Sequence, residues 1–424
     1  MKTVNNFVLP GHPMFQDSVR AFLPRKVVIP FRQSSEAEYS CGFQPGDIVR
    51  EGQIIASPKN FADGANIHSS VPGKILSIFK CTLPDGTLGN AAEISTDGSF
   101  SYLGKKLPSV DWNFLNAETL LEEFKVKGIV NTFRKKTESL CAQITRGNLV
   151  KERFVIVRMF DEDPSRFTDS FIAKKFISEV VQGALICCKA FSAKGIVFVL
   201  PKKSDIEISS ELLGNVPFLC VNTDTEKYPC GFMQNLLRTI RNASKNSEFS
   251  KVNSKCLFLD PETALSVFEA VVKGIPVIER YVHVHGSCLK SVGMFKARIG
   301  ASIKSLVEQC GGFKISPSKI VVNGMITGMV ASTLDIPITK SIKSLEFVPA
   351  TELCIQDEKN CIRCGKCRNV CPEGLSPDLL YKHLVENYHL PKEICATSLL
   401  CSHCSVCNSV CPSRLPLSQT IALL

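Results

Sequence analysis

Long apolar runs are missing from this 424-residue sequence. The uncharged stretch Ile320 to Leu334 is 15 residues long and already carries Asn323, Thr327, Ser332 and two glycines, short of the ~20 apolar residues a bilayer-spanning helix needs. Any membrane association is therefore expected to be peripheral. Tryptophan occurs once, at Trp112, and is read as a packing residue. The 26 Gly and 23 Pro are too few for a low-complexity or fibrous chain. The opening residues, MKTVNNFVLPGHPMF, contain no apolar core segment and no small-residue cleavage site. No secretory signal is expected, and the thiols are expected to be reduced. Basic residues are nowhere interleaved with aromatics in one segment, so the formal charge of 50 − 40 = +10 does not read as a nucleic-acid surface.

What the chain has in excess is cysteine, 20 residues of it, too many for an average reduced enzyme and too unevenly placed for a small disulfide scaffold. The length fits two to four domains, each able to bury a core. Residues 1 to about 105 read as all-β: a strand at Lys26 to Phe31, then turns at Pro45-Gly46-Asp47, Glu51-Gly52, Pro72-Gly73 and Pro84-Asp85-Gly86. Turns at that spacing imply a small barrel or sandwich. From about 110 the pattern alternates. Phe167, Phe171, Ile172, Phe176, Val180, Val181, Ala184 and Leu185 recur at helical spacing, and 195–200 and 216–221 are short apolar runs. This is the signature of a Rossmann-like α/β layer structure. Cys256 to Asp260 reads as a further strand, followed by a helix with Asp260 as N-cap and Pro261 at its first position, stopping at Gly274. Strands near 277–284, 295–299 and 320–322, with a helix 302–310 ended by Gly311-Gly312, form an α+β unit.

Two tail segments superpose with a shift of forty residues, CIRCGKCRNVCP from Cys361 and CSHCSVCNSVCP from Cys401. Each is C-x2-C-x2-C-x3-C-P, the run of a two-cluster ferredoxin, in which three close thiolates wrap one cube and the fourth crosses to the other. The expected ligand sets are Cys361, Cys364, Cys367 with Cys411, and Cys401, Cys404, Cys407 with Cys371. Two intervening residues let successive sulfurs reach neighbouring irons from one tight loop, and Pro372 and Pro412 then turn the chain away. Ile362, Val370, Leu375, Val406, Val410 and Leu415 are expected to form an apolar shell. Thiolates of two [4Fe-4S] clusters, at about −2 per site, would lower the chain's charge to about +6, which suits an anionic membrane face or an acidic redox partner. Structural zinc usually pairs two C-x2-C arms, a different spacing. The other twelve cysteines, Cys187, Cys188 and Cys354 among them, read mostly as small buried hydrophobes.

With these cysteines placed behind β and α/β modules, the whole chain resembles the RnfC family, the C subunits of the Rnf ion-translocating electron-transport complex. PGDIVREGQIIA and HSSVPGKIL are similar to that family's lipoyl-like barrel-sandwich hybrid domain, although no carrier lysine is evident. Tyr228-Pro229-Cys230-Gly231 resembles the Y-P-x-G turn of its flavin and nucleotide domain. VIERYVHVHG (277–286), Ala297-Arg298-Ile299-Gly300 and 309–312 resemble its β-grasp domain. The resemblance implies a multidomain α+β chain: a barrel-sandwich hybrid domain at 1–105, a Rossmann-like flavin/NADH-type domain at 106–255, a β-grasp soluble-ligand-binding domain at 256–350 and an α-helical two-cluster ferredoxin domain at 351–424.

One departure bears on cofactors. The family's glycine-rich phosphate loop is here Gly128-Ile129-Val130-Asn131-Thr132-Phe133-Arg134-Lys135-Lys136-Thr137, with no glycine after Gly128. Side chains there obstruct the close backbone approach that FMN or NADH phosphates need. Lys135 and its neighbours offer only point charges. The acidic run beside the flavin, Asp161, Glu162 and Asp163, survives, but Arg158-Met159-Phe160 replaces the family's small residues. His283 and His285 alternate along a strand and share a face, read as a solvent-facing pair. The resemblance thus implies a peripheral translocase subunit on the cytoplasmic side of the cell inner membrane. Its partners would be the other membrane subunits and a soluble redox protein, with electrons entering from that protein or from a weakly bound flavin. The competing readings are a soluble flavin-dependent NADH reductase similar to cobalamin reductases, and a zinc-stabilised scaffold without redox activity.

Overall fold

The computed structural model describes residues 4–5, 17–33, 37–62, 64–147, 151–245, 247–353 and 357–424; Cys354 lies outside them. Near the N-terminus the turn-punctuated segments form two facing sheets. One is antiparallel, in the order Lys26–Pro30, Leu88–Thr96, Gly73–Thr82, Ile48–Val49. The other joins Tyr39–Cys41, Ile54–Pro58 and Ile67–His68. Alternation sends Val27, Ile29, Ile75, Ala92 and Ile94 inward from the first sheet to meet Ile55 and Ile67 from the second.

The next sheet is parallel, in the order Phe218–Thr223, Ile196–Pro201, Val155–Arg158, Leu257–Leu259. Its central strands are continuous apolar runs because both faces are covered. Val155, Val157 and Phe198 pack on one side against helices Ile177–Ala190 and Pro261–Val272. Ile156, Val197 and Val199 pack on the other against Leu236, Leu237 and Ile240 of helix Met233–Ala243. The two helices of the first face lie so close that a Cβ at Gly183 would stand 1.9 Å from the Ala264 carbonyl oxygen. The periodic stretch from Phe167 folds as two helices, Thr168–Lys175 and Ile177–Ala190, separated at Phe176, whose ring packs on Tyr281 at 5.4 Å. Strand Leu257–Leu259 and its helix, read from the sequence with the unit that follows, complete this parallel sheet instead. The helix starts as expected, with Asp260 accepting from the Thr263 amide and Pro261 in its first turn.

A six-stranded mixed sheet follows, in the order Val19–Arg20, Gly293–Arg298, Glu279–His285, Ser344–Val348, Lys319–Val322, Met329–Ala331. Helix Ile303–Gln309, capped by Ser302, packs on it through Ile303, Leu306 and Val307. The tail carries short helices, Lys366–Val370, Pro377–Val385, Lys392–Ala396, Val406–Ser409 and Leu417–Ile421. Among the described residues no helix is long and apolar enough to cross a membrane.

The junction between the first sandwich and the parallel-sheet region is polar and buried. His68 lies against the Val126 carbonyl at 2.8 Å; a carbonyl only accepts, so Nε2 carries the proton. Lys340 donates to the carbonyls of Asn66 and Gly128. Burial, reinforced by Lys340, pushes His68 down to about 3. Its folded value lies below its unfolded value, so below about pH 6.5 the unfolded chain takes up a proton that the folded chain refuses. This part of the stability is present above pH 6.5 and is lost as pH falls toward 3, at up to about 1.4 kcal/mol per pH unit. Urea unfolding of the wild type and His68→Gln between pH 7 and 5 checks this: the difference between the two curves must narrow or reverse with acid. A constant difference refutes it.

Candidate functional site

The tail brings its eight motif cysteines together in two groups. Cys361, Cys364, Cys367 and Cys411 line one small cavity, closed by Leu415 and Leu417. Cys371, Cys401, Cys404 and Cys407 line a second, closed by Leu375 and Ile421. Each cavity thus takes three sulfurs from one motif and the fourth from the other. Among the described residues no three His, Cys, Asp or Glu side chains form a group compact enough for one metal ion. A cube takes one sulfur at each iron corner, so its ligands rim a space instead of meeting at a point.

The forty-residue repeat extends to the backbone. Arg363 and His403 have φ of 56° and 53°, Gly365 and Ser405 70° and 56°, and Gly374 and Arg414 75° and 56°. Left-handed conformations at non-glycine residues cost roughly 1–2 kcal/mol each. Four of the seven described non-glycine residues with positive φ lie in these two loops, a concentration of strain typical of functional sites. The turns direct amides at sulfur: the Leu375 amide donates to Cys371 Sγ at 3.3 Å and the His403 amide to Cys401 Sγ at 3.4 Å. Successive amides in such turns form concave sites for anionic groups, iron–sulfur clusters included. Burial pushes the Cys367 thiol up to about 11 and the Cys404 thiol up to about 12. These thiols are neutral on their own, and a metal's charge is what draws off the proton. Sulfur number, amide direction and apolar lining all fit a [4Fe-4S] cube. Of the expected shell, Leu375, Val406 and Leu415 are buried and Val370 and Val410 half-buried. Ile362 departs from it, at 67% exposure.

The two cavities differ in position. The second sits against the parallel-sheet region: the Tyr228 hydroxyl donates to the Cys404 carbonyl at 2.6 Å, and Tyr228, Phe232, Cys404 and Val406 share a cluster. Arg238 donates to the Pro372 carbonyl at 3.0 Å. No spacing within the tail points to Tyr228, because the contact joins residues 176 positions apart. The first cavity lies farther out, and its Cys364 is exposed.

The loop and acidic run flank a cleft of about 320 Å³, lined by Arg32, Thr132, Arg134, Lys135, Glu162 and Lys343 among others. Gly128 has φ +67°, and a Cβ there would stand 2.3 Å from the Asn66 carbonyl oxygen. This glycine serves the packing of the sandwich. Asn131 spends its side-chain amide on Gln143 and the Phe258 carbonyl. Lys135 is exposed. Asp161 accepts from the amides of Asp169 and Ser170 at the start of helix Thr168–Lys175. Asp163 accepts from the amides of Ser165, Ile326 and Thr327, and Glu162 accepts from Arg158 at 2.9 Å. Arg158 is fully buried, lies over the Phe133 ring at 4.5 Å and also donates to the Gly231 carbonyl. A fully buried Arg158 packed on Phe133 thus stands beside this loop, whose residues from Ile129 to Thr137 all carry side chains.

Beneath the cleft Lys343 donates to both oxygens of Asp169, at 2.8 and 2.9 Å, and to Asp260 at 2.6 Å. The sequence marks Asp260 only as a helix cap. His283 and His285 do share a face, their rings stacked at 4.2 Å. They are buried, at 0% and 7% exposure, and not solvent-facing as read from the strand pattern; Phe167 packs on His283 from the neighbouring element. Of the remaining described cysteines, Cys81, Cys187, Cys188, Cys230, Cys256, Cys288 and Cys310 are buried, Cys41, Cys141 and Cys395 are half-buried, and Cys220 is exposed.

Comparison with known proteins gives a consistent relationship. Residues 16–99 match the RnfC barrel sandwich hybrid domain. The C subunit of the proton-translocating ferredoxin:NAD(+) oxidoreductase complex of Clostridium ljungdahlii is 28% identical, over 87% of this chain and 82% of the relative. Its counterpart in the Na(+)-translocating ferredoxin:NAD(+) oxidoreductase complex of Acetobacterium woodii is 26% identical, over 84% and 80%. The C subunit of the ion-translocating oxidoreductase complex of Yersinia enterocolitica is 26% identical over 85% of this chain, which spans 52% of that longer relative. Among solved structures, an NAD+-reducing [NiFe]-hydrogenase in the H2-reduced state aligns over 73% of this chain and 61% of its own, at 11% identity and a TM-score of 0.48, too loose a likeness to carry an argument. With its facing N-terminal sheets matched as an RnfC barrel-sandwich hybrid domain and its relatives aligned along more than four fifths of its length, this multidomain α+β chain is similar throughout to the C subunits of ion-translocating oxidoreductase complexes.

Proposed function

We propose that the chain is a peripheral electron-transfer subunit of an ion-translocating ferredoxin:NAD oxidoreductase complex. In this reading it relays single electrons through two [4Fe-4S] clusters held by Cys361, Cys364, Cys367 and Cys411, and by Cys401, Cys404, Cys407 and Cys371. The observation that carries the reading is the crossed grouping of the eight sulfurs around two cavities. The named roles of its relatives supply the assembly. The other subunits of such a complex are its proposed partners, and the cytoplasmic face of the cell inner membrane its place. Bound clusters add one-electron redox capacity. The protein's own contribution is to fix four sulfurs per cavity, aim amides at them and hold apolar residues over them, which limits water access and tunes potential.

The proposed organisation is a barrel-sandwich hybrid unit to about residue 105, a Rossmann-like parallel-sheet unit that includes strand Leu257–Leu259 and helix Pro261–Val272, a β-grasp unit up to about 350, and a ferredoxin-type unit from 351. Because Arg158, Phe133 and Asn131 occupy the place of a bare phosphate loop, electrons enter from a protein donor and not from a standard NADH and FMN site. Anaerobically purified protein is expected to hold about eight iron and eight acid-labile sulfide per chain, with paramagnetic signals on dithionite reduction and little reduction by NADH. Zinc without sulfide overturns the cluster reading; stoichiometric flavin with fast reduction by NADH overturns the donor reading.

A further inference from the structure

Resting on the cluster reading above, the two cavities can be compared as places to put an electron. Reduction adds negative charge to a site that is already anionic, so burial opposes it and water at the surface favours it. The inner tetrad, that of the second cavity, is the more enclosed: Cys371, Cys404 and Cys407 are buried and Cys401 half-buried. In the outer tetrad only Cys367 is buried, Cys361 and Cys411 are half-buried and Cys364 is exposed. Burial by itself makes the inner site the harder of the two to reduce. Rim charge does not correct this. Lys359, Arg363 and Lys366 about the outer loop face Asp357 and Glu358, and Arg134 and Arg238 beside the inner one face Glu373; all but the half-buried Glu373 are exposed and screened by water.

The two sites are separated by what reaches them from the parallel-sheet region. Tyr228, 3% exposed, donates its hydroxyl to the Cys404 carbonyl at 2.6 Å. Arg238 of helix Met233–Ala243 donates to the carbonyl of Pro372 at 3.0 Å, the residue after Cys371. One carbonyl is thus held from each motif, and each belongs to or adjoins a ligand of the inner tetrad. Tyr228 is itself fixed. Its backbone pairs with Val4, the Phe232 ring stands edge-on to it at 5.9 Å, and Val406, Val370 and Ile326 pack in the same cluster. Among the described residues the hydrogen bonds about the outer loop stay within the tail, from the Lys359 amide to the Ser413 carbonyl and from the Ser413 hydroxyl to the Asn360 carbonyl. A donor aimed at the carbonyl of a ligand's peptide polarises that peptide and turns the positive end of its own dipole toward the site. Where water is scarce, the effect is not screened.

We propose that Tyr228 and Arg238 are positioning residues that seat the inner cluster and raise its reduction potential, offsetting its burial, while leaving the outer cluster's potential alone. Neither side chain is bonded to a sulfur; each acts through a carbonyl beside one. Without them an electron held at the outer site faces an uphill step inward. With them the two potentials are drawn together, and the electron passes with the outer site losing what the inner one gains.

The test uses the full cluster-loaded chain and a dithionite titration followed by paramagnetic resonance, which reads a midpoint potential for each cluster. Iron and sulfide are measured first. A folded chain that never holds clusters defeats the parent reading and this one with it; with about eight irons present, the potentials bear on the positioning role alone. The outer transition is identified as the one that survives in Cys371→Ala/Cys404→Ala. Tyr228→Phe, which removes only the hydroxyl, is expected to disfavour reduction of the inner cluster about tenfold, which is about 59 mV for one electron, with the outer potential unchanged. Arg238→Met should move the same potential in the same direction, and Arg238→Lys, which keeps a charged donor, should restore most of it. Arg241→Met, on the same helix but bonded to the Val252 carbonyl, should move neither. If Tyr228→Phe sheds about four irons with the outer signal intact, that loss supports the seat and the Arg238 variants supply the potentials. Potentials unchanged in both Tyr228→Phe and Arg238→Met, an equal shift of the two clusters, a shift confined to the outer transition, or an equal effect of Arg241→Met overturns the proposal.

Discussion

Replacing Cys371 together with Cys404 by alanine leaves about four iron atoms per chain, whereas replacing Cys371 together with Cys364 leaves none. The first pair damages one cavity twice, since both residues line the inner one. The second pair damages each cavity once, since Cys364 belongs to the outer one. If each motif instead held its own cluster with its own fourth cysteine, the two outcomes would exchange. Iron and sulfide analysis of the two double variants, with paramagnetic resonance of the reduced proteins, separates the alternatives at a twofold or larger difference. Alanine is the right replacement because serine oxygen can stand in as a weak ligand. The tail has little core beyond its cysteines and a few leucines, so loss of both clusters should also loosen it, seen as rapid amide exchange after residue 357.

Lys343→Met is expected to cost about 3–5 kcal/mol in the stability of the parallel-sheet region. Lys343 is buried between Asp169 and Asp260, both at 0% exposure, and methionine of similar length leaves two carboxylates short of a partner. Asp169 retains only longer contacts, 3.7 Å to each of Arg158 and Arg166. Asp260 keeps its neutral donors Thr132 and Thr263. The signature of an uncompensated charge, as opposed to lost packing, is partial rescue by neutralising a partner. Lys343→Met/Asp260→Asn should be more stable than Lys343→Met alone, since asparagine still caps the helix. In a chain of several units one melting temperature is poorly defined, so amide exchange in helix Pro261–Val272 is the measurement. A double variant less stable than the single would refute the charge explanation.

Much of this protein is written in short-range pattern. Three sulfurs separated by two residues, a fourth before proline, and the whole unit repeated forty residues on specify two four-sulfur sites without any knowledge of the fold, because ligand reach is a matter of a few residues of tight turn. The strand at Lys26–Pro30 and the helix begun by Asp260-Pro261 follow from alternation and capping, which are equally local. Tertiary structure decided what depends on residues distant in sequence. It placed strand Leu257–Leu259 beside Val155–Val157, because a parallel neighbour a hundred residues away leaves no trace in a local apolar run. It buried His283 and His285, which strand periodicity could put on one face but not on the covered one. It set Arg158 over Phe133, a contact between a strand end and a loop that neither segment's sequence announces. It also turned one cysteine tetrad inward under Tyr228 and the other out to solvent at Cys364. Ligand identity is a property of spacing along the chain, whereas burial and charge partnership belong to surfaces that exist only after distant segments have packed.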